Sequence, residues 1–195
     1  MHCCVLFASP RGKESNTRAL TEEFLAAWHE AGNTASFHSL YDLAISPCLA
    51  CRGCQWDWTA PNCVVEDDMQ AIFPDILAAD LVVLASPIYN WGPTAPMKAA
   101  LDRCIYALCK FYRGTGEKGP SLWEGKPIAV ITTAGYRIEK ATDLWEESLR
   151  RSCKHAGLRF LGLYGERHRS YTEPFMDEEK RGRTRAFAQH IMEQL

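Results

Sequence analysis

The chain has 195 residues, 47% of them apolar and 24% charged, with 22 Lys and Arg against 24 Asp and Glu for a formal net charge of −2. That length and apolar content suffice for the core of one α/β domain spanning residues 1–195. The charges are interspersed, with no basic run to draw a nucleic-acid backbone or an anionic membrane, so small molecules are the expected partners.

The opening MHCCVLFASP lacks the charged start, longer apolar core and cleavage site of a secretory signal, and no apolar stretch is long enough to span a bilayer. Nine cysteines without such a signal predict reduced thiols in a cytoplasm, where clustered cysteines hold metals or do redox chemistry.

The first predicted strand, residues 3–8, is a nearly continuous apolar run. It leads into Ser9-Pro10-Arg11-Gly12-Lys13-Glu14-Ser15-Asn16-Thr17 and then a helix patterned by Leu20, Phe24, Trp28 and Ala31. Hydroxyls, an amide and free backbone N–H groups at a helix start favour a phosphate dianion, and Arg11 adds charge. The alternative is an ordinary loop whose Ser15, Asn16 or Thr17 caps the helix. The spacing of a nucleotide-triphosphate P-loop is absent.

The second strand, 34–40, is mixed in polarity and reads as an edge. After it come Cys48, Cys51, Cys54 and Cys63, spaced C-x2-C-x2-C-x8-C. Four such thiolates can hold zinc or an iron-sulfur cluster or stay free, and the dense first three favour the cluster. The loop is expected on the same sheet edge as the phosphate loop. Trp56 and Trp58 within it either cover a ligand or partner subunit or fold back on their own domain. The other five cysteines, Cys3, Cys4, Cys104, Cys109 and Cys153, fall on strand or helix patterns and read as small core residues.

A helix over Met69, Ile72, Phe73, Ile76 and Leu77 follows, capped by Asp67 or Asp68, with a kink expected at Pro74. The third strand, 81–85, ends in Ser86-Pro87-Ile88-Tyr89-Asn90-Trp91-Gly92-Pro93, a Pro-bounded loop whose rings can line a flat heteroaromatic ligand. Thr94 and Pro96 then start a helix through Met97, Leu101, Cys104, Ile105 and Leu108. Its Lys98, Asp102 and Arg103 read as a solvated face or ion pairs. Gly114-Thr115-Gly116-Glu117-Lys118-Gly119 formally matches G-x-G-x-x-G but follows a helix, and reads as a flexible loop at the opposite end of the sheet.

The fourth strand, 128–132, ends in Thr133-Ala134-Gly135-Tyr136-Arg137, a small-residue turn that lets backbone approach a ligand. A helix around 144–149, a fifth strand over 160–164, a basic turn at Arg167, His168 and Arg169, and a helix over 187–195 complete the chain. Strand–helix alternation of this kind fits a flavodoxin-like three-layer sandwich with a five-stranded parallel sheet in order 2-1-3-4-5, whose ligands sit beyond the carboxyl ends of the strands.

Three segments resemble the NAD(P)H-dependent FMN reductase and iron-sulfur flavoprotein branch of the flavodoxin-like superfamily. SPRGKESNT is similar to its S-x-R-x-x-S-N-T phosphate loop. SPIYNWGPTAPMKAALDR is similar to its S/T-P-x-Y…S-A-x-L-K-x-x-x-D-R signature, though Pro96 and Met97 stand where Gln-Leu is frequent. PCLACRGCQWDWTAPNCVVEDDM resembles its compact cysteine motif, with a longer last gap filled by Trp56-Asp57-Trp58.

The resemblance implies that Ser9, Arg11, Ser15, Asn16 and Thr17 grip the FMN phosphate. Pro87, Ile88, Tyr89, Asn90 and Trp91, with Thr133, Ala134 and Gly135, are then expected around the isoalloxazine ring. The implied function is an FMN-dependent NAD(P)H oxidoreductase serving a small acceptor such as a quinone, a flavin or a metal ion. No protein side chain is required as a nucleophile, because the flavin carries the chemistry. The alternative is an iron-sulfur flavoprotein with a four-iron cluster on Cys48, Cys51, Cys54 and Cys63, fed by a ferredoxin-like donor. A homodimer or homotetramer is implied in either case.

Overall fold

The computed structural model describes residues 1–195 except residues 115, 169, 171 and 172. Strands β1 (His2–Phe7), β2 (Thr34–Ser39), β3 (Leu81–Ala85), β4 (Pro127–Ala134) and β5 (Arg159–Arg167) form one parallel sheet in the order β2-β1-β3-β4-β5. This is the flavodoxin-like order that the alternation predicts, with β2 at an edge.

Helices α1 (Asn16–Glu30) and α6 (Glu178–Met192) cover one face of the sheet. The other carries α2 (Met69–Ala78), α3 (Ala95–Leu108) and α5 (Asp143–Ala156), and a short α4 (Ile138–Ala141) precedes α5. Alternation along β1 divides the core accordingly. Cys4, Leu6 and Ala8 pack with Ile72, Phe73, Met97, Cys104 and Trp145, whereas Cys3, Val5 and Phe7 pack with Leu20, Phe24, Trp28 and Ile191. Burial on both faces is why β1, β3 and β4 are almost wholly apolar.

The elements run past their sequence-predicted ends where polar residues find partners. Strand β4 continues past Thr132 through Thr133 and Ala134, which pair with Glu166 and Arg167 of β5. Helix α6 begins at Glu178 behind the cap Asp177, whose side chain accepts from the Lys180 amide. Its charged first turns carry too few apolar residues to signal a helix. Pro74 lies inside α2 without breaking it. The ring is on the exposed side, so the helix loses only the bond to the Gln70 carbonyl.

The five pattern-borne cysteines are buried. Burial pushes the Cys3 and Cys4 thiols up to about 12 and Cys153 up to about 11, so they act as uncharged core groups.

Candidate functional site

The loop after β1 tightens into a single turn of 3-10 helix over Gly12–Glu14, with Gly12 at φ 51°. Ser15 then caps α1, its hydroxyl accepting from the Arg18 amide at 3.3 Å. The next two donors, the Asn16 and Thr17 amides, have no acceptor among the described residues. They stand at the positive end of a four-turn helix, where an anion is favoured by both bonds and dipole. Ser9 and Ser15 are buried, while Arg11 projects into solvent above them.

Thr17 also ties the loop to the sheet. Its side chain is fully buried and meets the Thr133 hydroxyl at 2.7 Å, fastening α1 to the end of β4. Its backbone amide stays open at the start of α1.

The strand ends are stitched into one edge. The Thr94 hydroxyl donates to the Ala8 carbonyl at 2.9 Å, Ser86 Oγ accepts from the Thr94 amide at 3.0 Å, and the Thr132 hydroxyl donates to the Ser86 carbonyl at 2.7 Å. These buried Ser and Thr residues hold the β1, β3 and β4 loops in register. Sequence inspection missed them, because a hydroxyl used as a brace looks the same as one used on a ligand.

Tyr89 and Gly92 exchange backbone bonds of 2.9 and 3.1 Å across Asn90 and Trp91, both at positive φ (51° and 60°). This is a type I′ turn, a tight hairpin that prefers Asn-Gly. It presents Tyr89 and Trp91 half-exposed, and the Trp91 indole N–H donates to the Lys140 carbonyl at 3.2 Å. Ile88, Asn90 and Trp91 face Ala134, Gly135, Tyr136 and Ala141 across a cleft of about 190 Å³. Arg167 reaches the same turn, its Nε donating to the Gly135 carbonyl at 3.2 Å. Arg169 lies outside the described residues. A larger apolar cavity of about 340 Å³ lies between α3 and α5, walled by core residues such as Leu101, Trp123 and Trp145. It shares Trp91 with the cleft but has no phosphate-binding loop.

The cysteine loop departs from its expected place. It leaves the carboxyl edge but descends along α3, so that Cys48, Cys51, Cys54 and Cys63 line a small cavity with Arg103, Tyr106 and Ala107. Those helix residues lie 9 to 13 positions beyond Thr94, about 14 to 20 Å down the axis. The cysteines therefore do not adjoin the cleft of their own chain. Trp58 is half-buried and Trp56 exposed, with the Arg113 guanidinium over both rings at 5.7 and 5.1 Å.

Buried charges flank this loop. Arg103 binds both oxygens of Asp67 at 2.8 and 3.1 Å and donates to the Ser46 carbonyl at 3.0 Å, with its Nε buried and unpaired. Burial alone raises the Asp67 carboxyl, but bonds from Arg103 and from the Ser46 and Met69 amides outweigh it and hold the group below the ordinary aspartate value. Lys110 is fully buried, donating to the carbonyls of Cys54 at 2.7 Å and Pro61 at 3.1 Å. Burial lowers its pKa against the opposing pull of Cys54, Asp57, Cys109 and Cys63. By contrast, Lys98 and Asp102 form an exposed ion pair one turn apart.

Whether the cysteines suit a metal group is a question of spacing. Among the described residues no three His, Cys, Asp or Glu side chains are gathered as ligands for an ion, yet all four thiols border one cavity. That cavity is only about 20 Å³, Cys51 is exposed and the Cys54 thiol donates to the Tyr106 carbonyl at 3.2 Å, so as they stand the four thiols are not arranged around a cluster.

The model of the NADPH-dependent FMN reductase family matches residues 1–153, and the chain belongs to that family. It is 30% identical over 164 residues to an FMN-dependent NADH:quinone oxidoreductase of Pseudomonas putida, covering 79% of this chain and 81% of that one. Over 95 residues it is 37% identical to an iron-sulfur flavoprotein of Methanocaldococcus jannaschii, covering 49% of this chain and 47% of the relative. The match thus spans about half the length of that relative, and 53% of a second iron-sulfur flavoprotein from Archaeoglobus fulgidus. Among solved structures, an NAD(P)H:quinone oxidoreductase from Methanothermobacter marburgensis superposes with a TM-score of 0.69 at 20% identity, over 97% of this chain and 92% of that one. An FMN-dependent NADH-azoreductase from Bacillus anthracis, in complex with FMN, gives 0.71 at 16%, over 98% and 99%. At these identities the structures speak for the shared fold. No helix among the described residues is long and apolar enough to cross a membrane.

Proposed function

We propose that the chain is an FMN-dependent NAD(P)H oxidoreductase that passes electrons to a small acceptor, a quinone, a flavin or a metal ion. One observation carries the reading: the open amides at the start of α1 and the aromatic cleft share one sheet edge, braced together by the Thr17–Thr133 bond. FMN, when bound, takes electrons from the reduced nicotinamide and returns them to the acceptor.

The chain's own residues bind and orient. Arg11, the Ser9 and Ser15 hydroxyls, the Asn16 side chain and the Asn16 and Thr17 amides hold the phosphate. Pro87 through Trp91 and Thr133 through Gly135 border the ring, with Trp91 and Tyr136 excluding water from opposite sides of the cleft. Tyr136 joins the expected set because the cleft includes it. Assembly as a homodimer or homotetramer in the cytoplasm belongs to the same reading.

Purified protein is expected to retain FMN one to one and to oxidise NADH or NADPH when a quinone is present. Protein that neither holds FMN nor gains this activity when FMN is added overturns the reading.

A second reading is that of an iron-sulfur flavoprotein carrying electrons from a ferredoxin-like donor, with Cys48, Cys51, Cys54 and Cys63 holding a four-iron cluster. The cysteine spacing favours it, as does the likeness to iron-sulfur flavoproteins. Iron and sulfide should then be present after anaerobic purification and absent from Cys51→Ala. An iron-free anaerobic preparation overturns it.

A further inference from the structure

The cavity of about 340 Å³ between α3 and α5 is a space that neither helix fills. Leu101 and Ile105 of α3 line it, as do Trp145, Leu149 and Ser152 of α5, each set spaced along one helix face. Close-packed interiors leave few voids larger than a water molecule, whereas a space of this volume is on the scale of a small-molecule pocket. Lys98 and Asp102 also border it, but they form an exposed ion pair with each other and so leave no net charge for an occupant to answer.

Three tryptophans wall the cavity, and their indole N–H groups are not equally placed. Trp91 donates to the Lys140 carbonyl at 3.2 Å and Trp123 to Cys109 Sγ at 3.3 Å. Trp145 is 3% exposed, and its buried N–H has no acceptor among the described residues. An indole nitrogen can only donate, and a buried donor left open is costly. Water answers it poorly, because a buried water needs about two to four polar partners and these walls are mainly hydrocarbon.

We propose that the cavity between α3 and α5 binds an uncharged, lipophilic ring compound bearing a carbonyl oxygen, which accepts from the Trp145 indole N–H while the rings lie against Leu101, Leu149 and Trp91. The site is separate from the flavin cleft, with which it shares Trp91 as a wall, and it does not rest on the reading of that cleft.

The test is equilibrium dialysis of the full chain against two probes of nearly one shape. These are 2-acetylnaphthalene and 2-isopropenylnaphthalene, in which a methylene group replaces the ketone oxygen. The chain is dialysed saturated with FMN, so that the cleft is filled, and again without added FMN. The native chain is expected to bind the ketone about tenfold more tightly than the hydrocarbon, the worth of one buried hydrogen bond. Trp145→Phe keeps a ring in the wall but lacks the donor; it should lose this preference while binding the hydrocarbon as the native chain does. Ser152→Trp fills the cavity from α5 and should weaken both probes about tenfold or more. Leu101→Phe does the same from the opposite wall, should the Ser152 variant not fold.

A native chain that binds neither probe, or binds both equally, overturns the proposal, as does a Trp145→Phe chain that still prefers the ketone. Unchanged binding by the cavity-filling variant puts the probes elsewhere and overturns it too. Sedimentation of the same proteins examines the other occupant: a native dimer that the cavity-filling variant splits into monomers gives the space to a second copy of this chain, against the proposal. FMN retention in the dialysed samples reports on the flavin site separately.

Discussion

The hydroxyls of Thr17 and Thr133, 116 positions apart in sequence, meet at 2.7 Å in a fully buried contact between the first turn of α1 and the last residues of β4. Each hydroxyl loses its partner when the other is removed, and an orphaned buried group costs about 1 to 3 kcal/mol. Thr17→Val and Thr133→Val are each expected to destabilise the fold by about that amount, and the pair by less than their sum. Urea unfolding of the four proteins measures the coupling; strict additivity would show that the two hydroxyls do not depend on each other.

Arg11 is exposed and forms no ion pair among the described residues, and the proposed function sets it on the FMN phosphate. Arg11→Ala should leave the unfolding midpoint unchanged while weakening FMN binding about tenfold through a lost charge-assisted bond. Riboflavin, which has no phosphate, should bind both proteins equally. Fluorescence titration with the two flavins checks this; an equal loss for riboflavin would move Arg11 away from the phosphate.

Asp67 and Arg103 set an acid limit on stability. The folded carboxyl is held below its unfolded value of about 4. Its contribution is therefore fully present above that value and is lost as pH falls through the lower folded pKa. Asp67→Asn leaves the Arg103 charge buried and unpaired, at a cost of about 3 to 5 kcal/mol at pH 7. That gap from the native chain should narrow on acidification below about pH 4. Urea midpoints at pH 7, 4 and 3 test it, and a gap independent of pH would contradict the assignment.

The type I′ turn holds two non-glycine residues in left-handed backbone, at about 1 to 3 kcal/mol each. Asn tolerates this region and Trp does not. Trp91→Gly should consequently raise or preserve the thermal midpoint even though it deletes the bond to the Lys140 carbonyl. It should also speed FMN release, measured by stopped-flow fluorescence. A lower midpoint with unchanged release would show that the indole serves the fold instead of the cleft.

Gly119 closes the loop after α3 over Lys110. A Cβ there would stand 2.7 Å from Lys110 Cβ and 2.8 Å from Trp58 Cε2. Gly119→Ala is expected to destabilise by about 1 to 3 kcal/mol through overpacking, with FMN affinity unchanged. An unaltered midpoint in thermal unfolding would mean that the loop yields freely.

The fold was legible because its signals are local. Apolar runs such as Leu81–Ala85 mark strands covered on both faces, and Ser15 at the head of an apolar-periodic segment marks a helix start. The open amides at the start of α1 were legible for the same reason, since the groups of that loop are consecutive. What stayed hidden depends on pairs distant in sequence. Lys110 is indistinguishable from a surface lysine until the cysteine loop closes over it, and nothing near Thr17 announces Thr133. The descent of the cysteines along α3 was hidden too, because a loop's sequence fixes where it leaves the sheet and not which neighbour it settles against. The G-x-G-x-x-G match shows the converse, with Gly119 required by crowding against Lys110 and Trp58; Thr115 within it lies outside the described residues.

Helix α3 acts as a spar between the aromatic cleft and the cysteine loop. Its first turn underlies the aromatic cleft, and its later turns carry Arg103 and lead to Lys110 beside the sulfurs. Because the two places share this one strut and little else, either can be altered, emptied or lost while the other keeps its shape.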